Sequence, residues 1–337
     1  MSKPRVGING FGRIGRCIFR SNLVSDLIDI VAINDLSTCE TAVHLLKYDS
    51  AYGTIKDNVK VIGEDDFSVN DIKVKNFTVR NPEEIPWKDA GVDIVLECTG
   101  FFCDYEGAAR HLKGGAKKVI ISAPAKNGVE KTIVMGVNEE TYDPAKHDVV
   151  SNASCTTNCL APLAKIIDEN FGIVKGLMTT VHSYTGDQQL LDSSHKDLRR
   201  ARSAALSMIP TSTGAAKAIG EVLPHLKGKM HGLAVRVPTP TVSLVDLVCE
   251  LNKSTTVEEV NAVLKKASED KMKGILEYCD KELVSIDFKH NPNSSIIDGL
   301  CTCMIGEKML KVLSWYDNEW AYSTRMVELS EYIGKRL

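Results

Sequence analysis

Arg5-Val6-Gly7-Ile8-Asn9-Gly10-Phe11-Gly12-Arg13-Ile14-Gly15 holds the first structural signal in this 337-residue chain. Arg5 to Asn9 is short and β-branched at alternate positions, which predicts a strand. The glycine pattern from Gly10 to Gly15 predicts a tight turn that opens a helix reaching about Leu23. A second apolar strand follows at Ile28 to Ile33, and Asp35 stands just beyond it, twenty residues after Gly15. In that context Gly10 allows the turn, Gly12 lets the backbone approach a pyrophosphate, and the helix N-terminus offers N–H donors at its positive end. Asp35 is placed to take the adenosine ribose hydroxyls. Its charge repels a 2′-phosphate, which favours NAD over NADP. The competing reading is a plain βα turn with a surface aspartate.

Outward from this unit the pattern continues as alternating strand and helix signals, clearest at Val92 to Glu97 and Lys118 to Ser122, so the first half reads as α/β with a parallel sheet. The pattern changes near Ser151. A helix over Cys155 to about Phe171 is followed by longer strand-like runs, Leu177 to Tyr184, His231 to Val237 and Thr241 to Leu251, which predict a mixed or antiparallel sheet. Thr256 with Glu259 forms a capping box for an amphipathic helix ending near Asp270, and Trp320 to Leu337 reads as a terminal helix.

A length of 337 residues suggests about two domains. With 43% apolar and 25% charged residues the chain is a globular protein, and a net charge of -3 gives no nucleic-acid signal. No apolar run approaches a membrane span, and Met1 to Gly15 lacks the apolar core of a signal peptide, so a cytoplasmic location is expected. Ten cysteines are too dilute for a disulfide scaffold. The close pairs Cys98/Cys103, Cys155/Cys159 and Cys301/Cys303 lack common structural zinc spacing, and no metal is expected.

Cys155 lies between a strand, Val149 to Ser151, and the following helix. A thiol at a helix N-terminus has its thiolate stabilised by the dipole and can serve as a nucleophile. A small buried hydrophobe is the alternative. Pro162 leaves open whether the helix begins later or bends there. His182, set among Thr179, Thr180, Ser183 and Thr185, is the candidate base, although a lone histidine is more often structural.

Together with Ala153-Ser154-Cys155-Thr156-Thr157-Asn158, Arg199-Arg200-Ala201-Arg202, Arg236-Val237-Pro238-Thr239-Pro240 and Trp315-Tyr316-Asp317-Asn318-Glu319, the Gly7 to Gly15 stretch makes five motifs in one order. In them the chain resembles the phosphorylating glyceraldehyde-3-phosphate dehydrogenases over essentially its whole length. The resemblance implies a Rossmann dinucleotide-binding domain over residues 1–154 and 318–337, with the C-terminal helix returning to it. It implies an α+β catalytic domain with a mixed or antiparallel sheet over 155–317, and a homotetramer. It also implies the reaction: D-glyceraldehyde 3-phosphate, NAD and inorganic phosphate would yield 1,3-bisphosphoglycerate, through a thiohemiacetal and then a thioester on Cys155, with His182 as base.

Site roles follow from the same resemblance. Thr185, Asp187 and Arg236 would hold the substrate's phosphate, and Ser154, Thr156, Thr213, Gly214 and Arg202 the inorganic phosphate. Arg199 and Arg200 are read equally well as a solvated basic face. Gly10, Gly12, Arg13, Ile14, Gly15, Asp35, Arg80, Ser122, Asn318 and Tyr322 would bind the cofactor, with Asn318 orienting the nicotinamide amide. Leu36 after Asp35 resembles the NAD-specific members, whereas Ser193-Ser194 resembles NADP-using forms, so NADP is a weaker alternative. Rival functions are erythrose-4-phosphate dehydrogenase, which releases its product to water, and a non-catalytic nucleic-acid-binding role.

Overall fold

A computed structural model describes residues 2–63 and 65–337. The chain forms two units: Met1–Ile133, Glu140–Ala153 and Ser323–Leu337 make the first, and Val134–Glu139 with Ser154–Tyr322 the second. Residues 1 and 64 of the expected first domain lie outside the described residues.

In the first unit a sheet runs in the order β10 (Lys131–Thr132), β11 (Val149–Ser151), β9 (Lys118–Ile121), β8 (Ile94–Glu97), β1 (Arg5–Asn9), β2 (Asp29–Asn34), β7 (Ile72–Phe77), β6 (Asp66–Val69) and β5 (Val59–Ile62). From β10 to β7 the pairing is parallel, and β8 and β9 are buried at every position, as expected of strands covered on both faces. The outer edge departs from the all-parallel expectation. β6 and β7 pair antiparallel through the two-residue turn Asn70-Asp71, whose residues have φ of 48° and 65°, the left-handed pair of a tight hairpin. Helix α1 (Arg13–Ser25) follows β1 directly and buries Cys17, Ile18 and Phe19, while α2 (Cys39–Lys47) starts at Thr38, whose side chain accepts from the Thr41 N–H. A short ribbon, β3 (Tyr48–Asp49) with β4 (Gly53–Thr54), and two one-turn helices, α3 (Tyr105–Ala108) and α4 (Arg110–Lys113), complete the unit before the final helix. Chain order reverses between β1 and β8, where α/β sheets open a crevice beyond their carboxyl ends.

The second unit is built on a mixed sheet in the order β13 (Ile209–Ser212), β14 (Met230–Val237), β12 (Ile173–Ser183), β15 (Ser243–Leu251), β18 (Met309–Tyr316), β17 (Ser295–Ile305) and β16 (Leu276–Cys279). Helices α5 (Cys155–Phe171), α6 (Ala215–Val222) and α7 (Val257–Glu269) accompany it. α5 runs unbroken from Cys155 with Pro162 inside it, so Pro162 neither delays the start nor ends the helix; it simply gives the Asn158 carbonyl no N–H. Thr256 caps α7 by accepting from the Glu259 N–H, but the Glu259 carboxylate takes the Thr255 hydroxyl at 2.8 Å, so its partner is the residue before the cap. The last helix, α8 (Trp320–Gly334), carries the chain from the second unit into the first. All ten cysteines are free thiols. Among the described residues no helix is long and apolar enough to cross a membrane.

Candidate active site

In the first unit, the turn after β1 opens onto a cleft of about 510 Å³ lined by Gly10, Gly12, Asn34, Asp35, Arg80 and Thr99, among others. Gly10 has φ +88°, and a Cβ there would stand 2.7 Å from the Thr99 nitrogen, so no other residue fits. Gly12 is the opposite case. It caps α1 without a side chain, is exposed, and a Cβ there meets no heavy atom within 4 Å. A Cβ on Gly15 would collide with the Gly10 carbonyl, which keeps helix and turn in close contact. An open glycine turn at an uncapped helix N-terminus fits a pyrophosphate. Asp35 Oδ2 accepts from the Phe11 N–H at 2.8 Å and Oδ1 from the Ser37 N–H at 2.9 Å, which fixes the carboxylate in the wall with lone pairs to spare for hydroxyl donors.

The other expected cofactor residues are distributed differently. Arg80 is exposed in the cleft lining, Ile14 is half-buried on α1, and the Ser122 N–H bonds the Glu97 carbonyl at 2.9 Å. Arg13 is paired with Asp49 and lies over the Tyr52 ring at 5.7 Å, so its guanidinium is already engaged. Asn318 and Tyr322 are buried in the second unit, where Asn318 Oδ1 accepts from the Ser243 hydroxyl at 3.0 Å.

The thiol site belongs to the second unit. Ser154 is the N-cap of α5, its hydroxyl accepting from the Thr157 N–H at 3.0 Å, and this places Cys155 at the first helical position. His182 occupies the end of β12, directly opposite Arg236 of β14. Cys155 Sγ and His182 Nε2 are 3.4 Å apart. His182 Nδ1 stands 2.7 Å from the Ser183 carbonyl, which only accepts, and 3.1 Å from Arg236 Nη1, which only donates; the shorter contact, with Arg236 Nη1 spending its hydrogens on Ser183 and Thr185, assigns the proton to Nδ1 and leaves Nε2 facing the sulfur as the acceptor. Arg236 Nη1 donates to the Ser183 carbonyl and to Thr185 Oγ1, each at 3.2 Å, and lies 3.1 Å from His182 Nδ1. Behind them Tyr316 is fully buried. Its hydroxyl joins Thr156 Oγ1 at 2.8 Å to Thr180 Oγ1 at 2.9 Å, and its ring meets the His182 ring edge-on at 6.0 Å.

Burial dominates the electrostatics of this pair. It pushes the Cys155 thiol up, against the opposing pull of Arg236, the Thr156 side chain and the first-turn N–H groups. Burial, reinforced by Arg236, pushes His182 down to about 3. The helix N-terminus favours the thiolate, as expected, but burial opposes it with the larger effect. Each charge alone is disfavoured by burial, and the two groups lie 3.4 Å apart, within reach of a proton transfer between them.

An acid-stability prediction follows from His182. Above its ordinary pKa of about 6.5 folded and unfolded chains are both neutral at this residue. As pH falls from there towards 3, the unfolded chain takes up a proton that the folded site refuses, so stability is lost. Urea unfolding between pH 7 and 4 should show a shallower loss for His182→Gln than for the wild type, and equal slopes would contradict the assignment.

The expected anion residues gather only in part. Thr185 and Arg236 are bonded as described. Asp187 lies beside Arg200 Nη1 at 2.6 Å; burial pushes its carboxyl up, but Arg200 holds it below the usual carboxylate range. Arg200 Nε also donates to Thr211 Oγ1 at 2.9 Å and Nη2 to the Ser212 carbonyl at 3.2 Å. Thr213 Oγ1 accepts from the Ala215 N–H, and Gly214 caps α6, exposed and open in front. Arg202 departs from the expectation. Its side chain is 67% exposed and its Nε is held by Asp192 at 2.6 Å, whereas Arg200 is 18% exposed and its charge reaches both His182 and Arg236. The two arginines are two residues apart on a turn, and the aspartate each meets settles which one is turned towards the histidine.

Arg200, Tyr316 and Thr180 are thus site residues that sequence reasoning did not assign. For two of them a signal exists. The period-two pattern places Thr180 with His182 on the buried face of β12, and Tyr316 on the buried face of β18, so polar groups recur where apolar ones are expected. Among the described residues no three His, Cys, Asp or Glu side chains come together as a metal site.

Comparison with known proteins adds an independent line. A family model described as "Glyceraldehyde 3-phosphate dehydrogenase, NAD binding domain" matches residues 4–105, and one described as "Glyceraldehyde 3-phosphate dehydrogenase, C-terminal domain" matches 154–318. The chain is 59% identical over 332 residues to glyceraldehyde-3-phosphate dehydrogenase of Geobacillus stearothermophilus, and 58% identical over 332 residues to glyceraldehyde-3-phosphate dehydrogenase 1 of Bacillus subtilis (strain 168), each match covering 98% of both chains. It is 56% identical over 335 residues to the Streptomyces coelicolor enzyme, covering 99% of each.

Proposed function

The chain belongs to the glyceraldehyde-3-phosphate dehydrogenase family, an NAD-linked oxidoreductase of glycolysis, and from that premise we propose how its own residues carry the reaction. The observation that carries the proposal is Cys155 Sγ set 3.4 Å from His182 Nε2, with Arg236 3.1 Å from His182 Nδ1 and Arg200, like Arg236 half-buried, close enough to act on both. Sulfur attacks the aldehyde carbon while its proton passes to Nε2, and the Cys155 backbone N–H and the protonated His182 stabilise the oxyanion of the thiohemiacetal. His182 passes this proton to the oxyanion, giving the thiohemiacetal hydroxyl, and, neutral again at Nε2, takes it back as the carbonyl reforms and a hydride leaves the carbon. NAD, when bound, supplies the hydride acceptor. Inorganic phosphate attacks the resulting thioester on Cys155, releasing the acyl phosphate and restoring the sulfur.

Two anions must be held near one carbon. Thr185, Asp187 and Arg236 are assigned to the substrate's phosphate, and Ser154, Thr156, Thr213 and Gly214 to inorganic phosphate. Arg200, in the place first given to Arg202, serves these anions because its planar fork is half-buried and already oriented by Asp187, Thr211 and Ser212. Arg200→Ala is expected to raise KM for phosphate or substrate by about thirtyfold, the loss of a charge-assisted pair, while Arg202→Ala stays within about twofold. Steady-state kinetics on both variants checks this; the reverse ranking restores Arg202.

On the cofactor side, Gly10, Gly12, Gly15 and Asp35 are assigned to the pyrophosphate and adenosine ribose, with Arg13, Ile14, Arg80, Ser122, Asn318 and Tyr322 in supporting roles. Asp35 beside Leu36 supports NAD as the main cofactor, with NADP as a secondary one. The deciding experiment is a titration with NAD and with NADP of glyceraldehyde 3-phosphate oxidation, run with and without inorganic phosphate. NAD preference and strict phosphate dependence are expected. Turnover indifferent to phosphate would favour the erythrose-4-phosphate type of reaction.

We assign the domains as residues 1–154 with 318–337 and 155–317, junctions that differ from those of the compact units in giving residues 134–139, 154 and 318–322 to the first domain, and the working form as a cytoplasmic homotetramer with no main role on nucleic acid. Association is supported by an apolar hollow of about 780 Å³ on the second unit, where Leu177, Met230, Val248 and Met309 meet.

A further inference from the structure

The carboxyl ends of three neighbouring strands carry a polar ladder that the chemistry at Cys155 does not use. Asn34 ends β2, Asn9 ends β1 and Glu97 ends β8, with Asn9 in register with both of the others. Each is at most 4% exposed. Asn34 Nδ2 donates to Asn9 Oδ1 at 2.8 Å, and Asn9 Nδ2 donates to Glu97 Oε2 at 2.6 Å. His111 Nε2 meets the same Oε2 at 3.0 Å, while its Nδ1 lies 3.0 Å from Trp87 Nε1. An indole N–H only donates, so the His111 proton sits on Nε2 and is given to Glu97. Trp87 is anchored in the core with Ala32, Ile85 and Val95, and a Cβ on Gly7 would stand 2.6 Å from its ring.

The ladder ends at two lips of the dinucleotide cleft. At one, Asn34 grips Val79 from both sides, Nδ2 to the carbonyl and Oδ1 from the N–H, each at 2.9 Å. At the other, Glu97 Oε1 accepts from the Thr99 N–H at 2.7 Å and from the Thr99 hydroxyl. Asn9, Asn34, Val79, Arg80 and Thr99 all line the cleft. A buried carboxylate is costly unless its lone pairs are filled, and apolar packing would serve a core better. Here Oε1 holds the Thr99 wall directly, while Oε2 fixes Asn9 and through it Asn34, which holds the Val79 wall. We propose that Glu97, oriented by His111 and Trp87, is a positioning residue that sets the spacing of the Val79–Arg80 and Thr99 lips for the adenosine half of the dinucleotide. The proposal rests on the reading of this cleft as the NAD site.

Glu97→Gln keeps the size of the side chain but turns one accepting oxygen into a donor, so it cannot serve both walls. Calorimetric titration of the purified protein with NAD and with AMP should show Kd for both rising about tenfold. The iodoacetamide rate of Cys155 without cofactor should match the wild type. Trp87→Phe removes only the indole donor and should raise both Kd values about threefold, which keeps the test in hand where Glu97→Gln does not fold. Unchanged AMP affinity in either folded variant overturns the proposal, as does a loss of NAD affinity without loss of AMP affinity. The cleft reading itself fails in a different way: wild-type AMP and NAD binding would then be insensitive to Asp35→Ala.

Discussion

Cys155→Ser is expected to lower kcat for aldehyde oxidation by about ten-thousandfold or more while leaving NAD affinity within about twofold. The sulfur is already pushed up by burial, and in the proposed mechanism it ionises by passing its proton to His182, itself pushed down to about 3. A serine hydroxyl is a much weaker acid than a thiol, so the same weak base cannot release an oxygen nucleophile. Serine would also form an oxygen ester, which phosphate attacks less readily than a thioester. The cleft at Gly10, Gly12 and Asp35 lies in the first unit and Cys155 in the second, so cofactor binding measured by calorimetry should survive. Full oxidation activity in the serine variant would remove Cys155 from the mechanism.

His182→Asn should reduce kcat by about a hundredfold to ten-thousandfold, the usual range for a lost general base. The sign of its effect on the thiol follows from the burial of the pair. Without an imidazole to receive the proton, only Arg236, the Thr156 side chain and the first-turn N–H groups remain to oppose the desolvation that pushes Cys155 up, so the pH profile of iodoacetamide labelling should move to higher pH. In the wild type, brief labelling read by mass spectrometry should mark Cys155 ahead of the exposed Cys301 and Cys303, and this preference should vanish in His182→Asn. Cys249 is buried with its thiol pushed up to about 12 and should stay unlabelled in both. A profile that does not move, or moves to lower pH, would mean that His182 does not accept the Cys155 proton.

The strand, glycine turn and helix at Arg5 to Gly15 and the helix over Val257–Glu269 were legible from residue order, because each depends on a local period, a cap or a left-handed glycine, whereas Pro162 left the start of α5 open until the fold placed it at Cys155. The hairpin at Asn70-Asp71 was local too, yet it fell inside a region read only as alternating strand and helix. Cys155, His182 and Arg236 were named by motif, and β12 and β14 bring the last two into register. Residue order was silent where an outcome depends on which distant group arrives. Thr156 and Tyr316 are 160 residues apart and share a hydrogen bond; Asn9 and Glu97 are 88 apart and share another. Arg200 and Arg202 differ by two positions in one basic run, and only the folded loop gives one to Asp187 and the other to Asp192. The charge state of Cys155 likewise belongs to the tertiary structure, since a helix dipole is a local property, whereas the desolvation that opposes it is set by every chain segment packed around the sulfur.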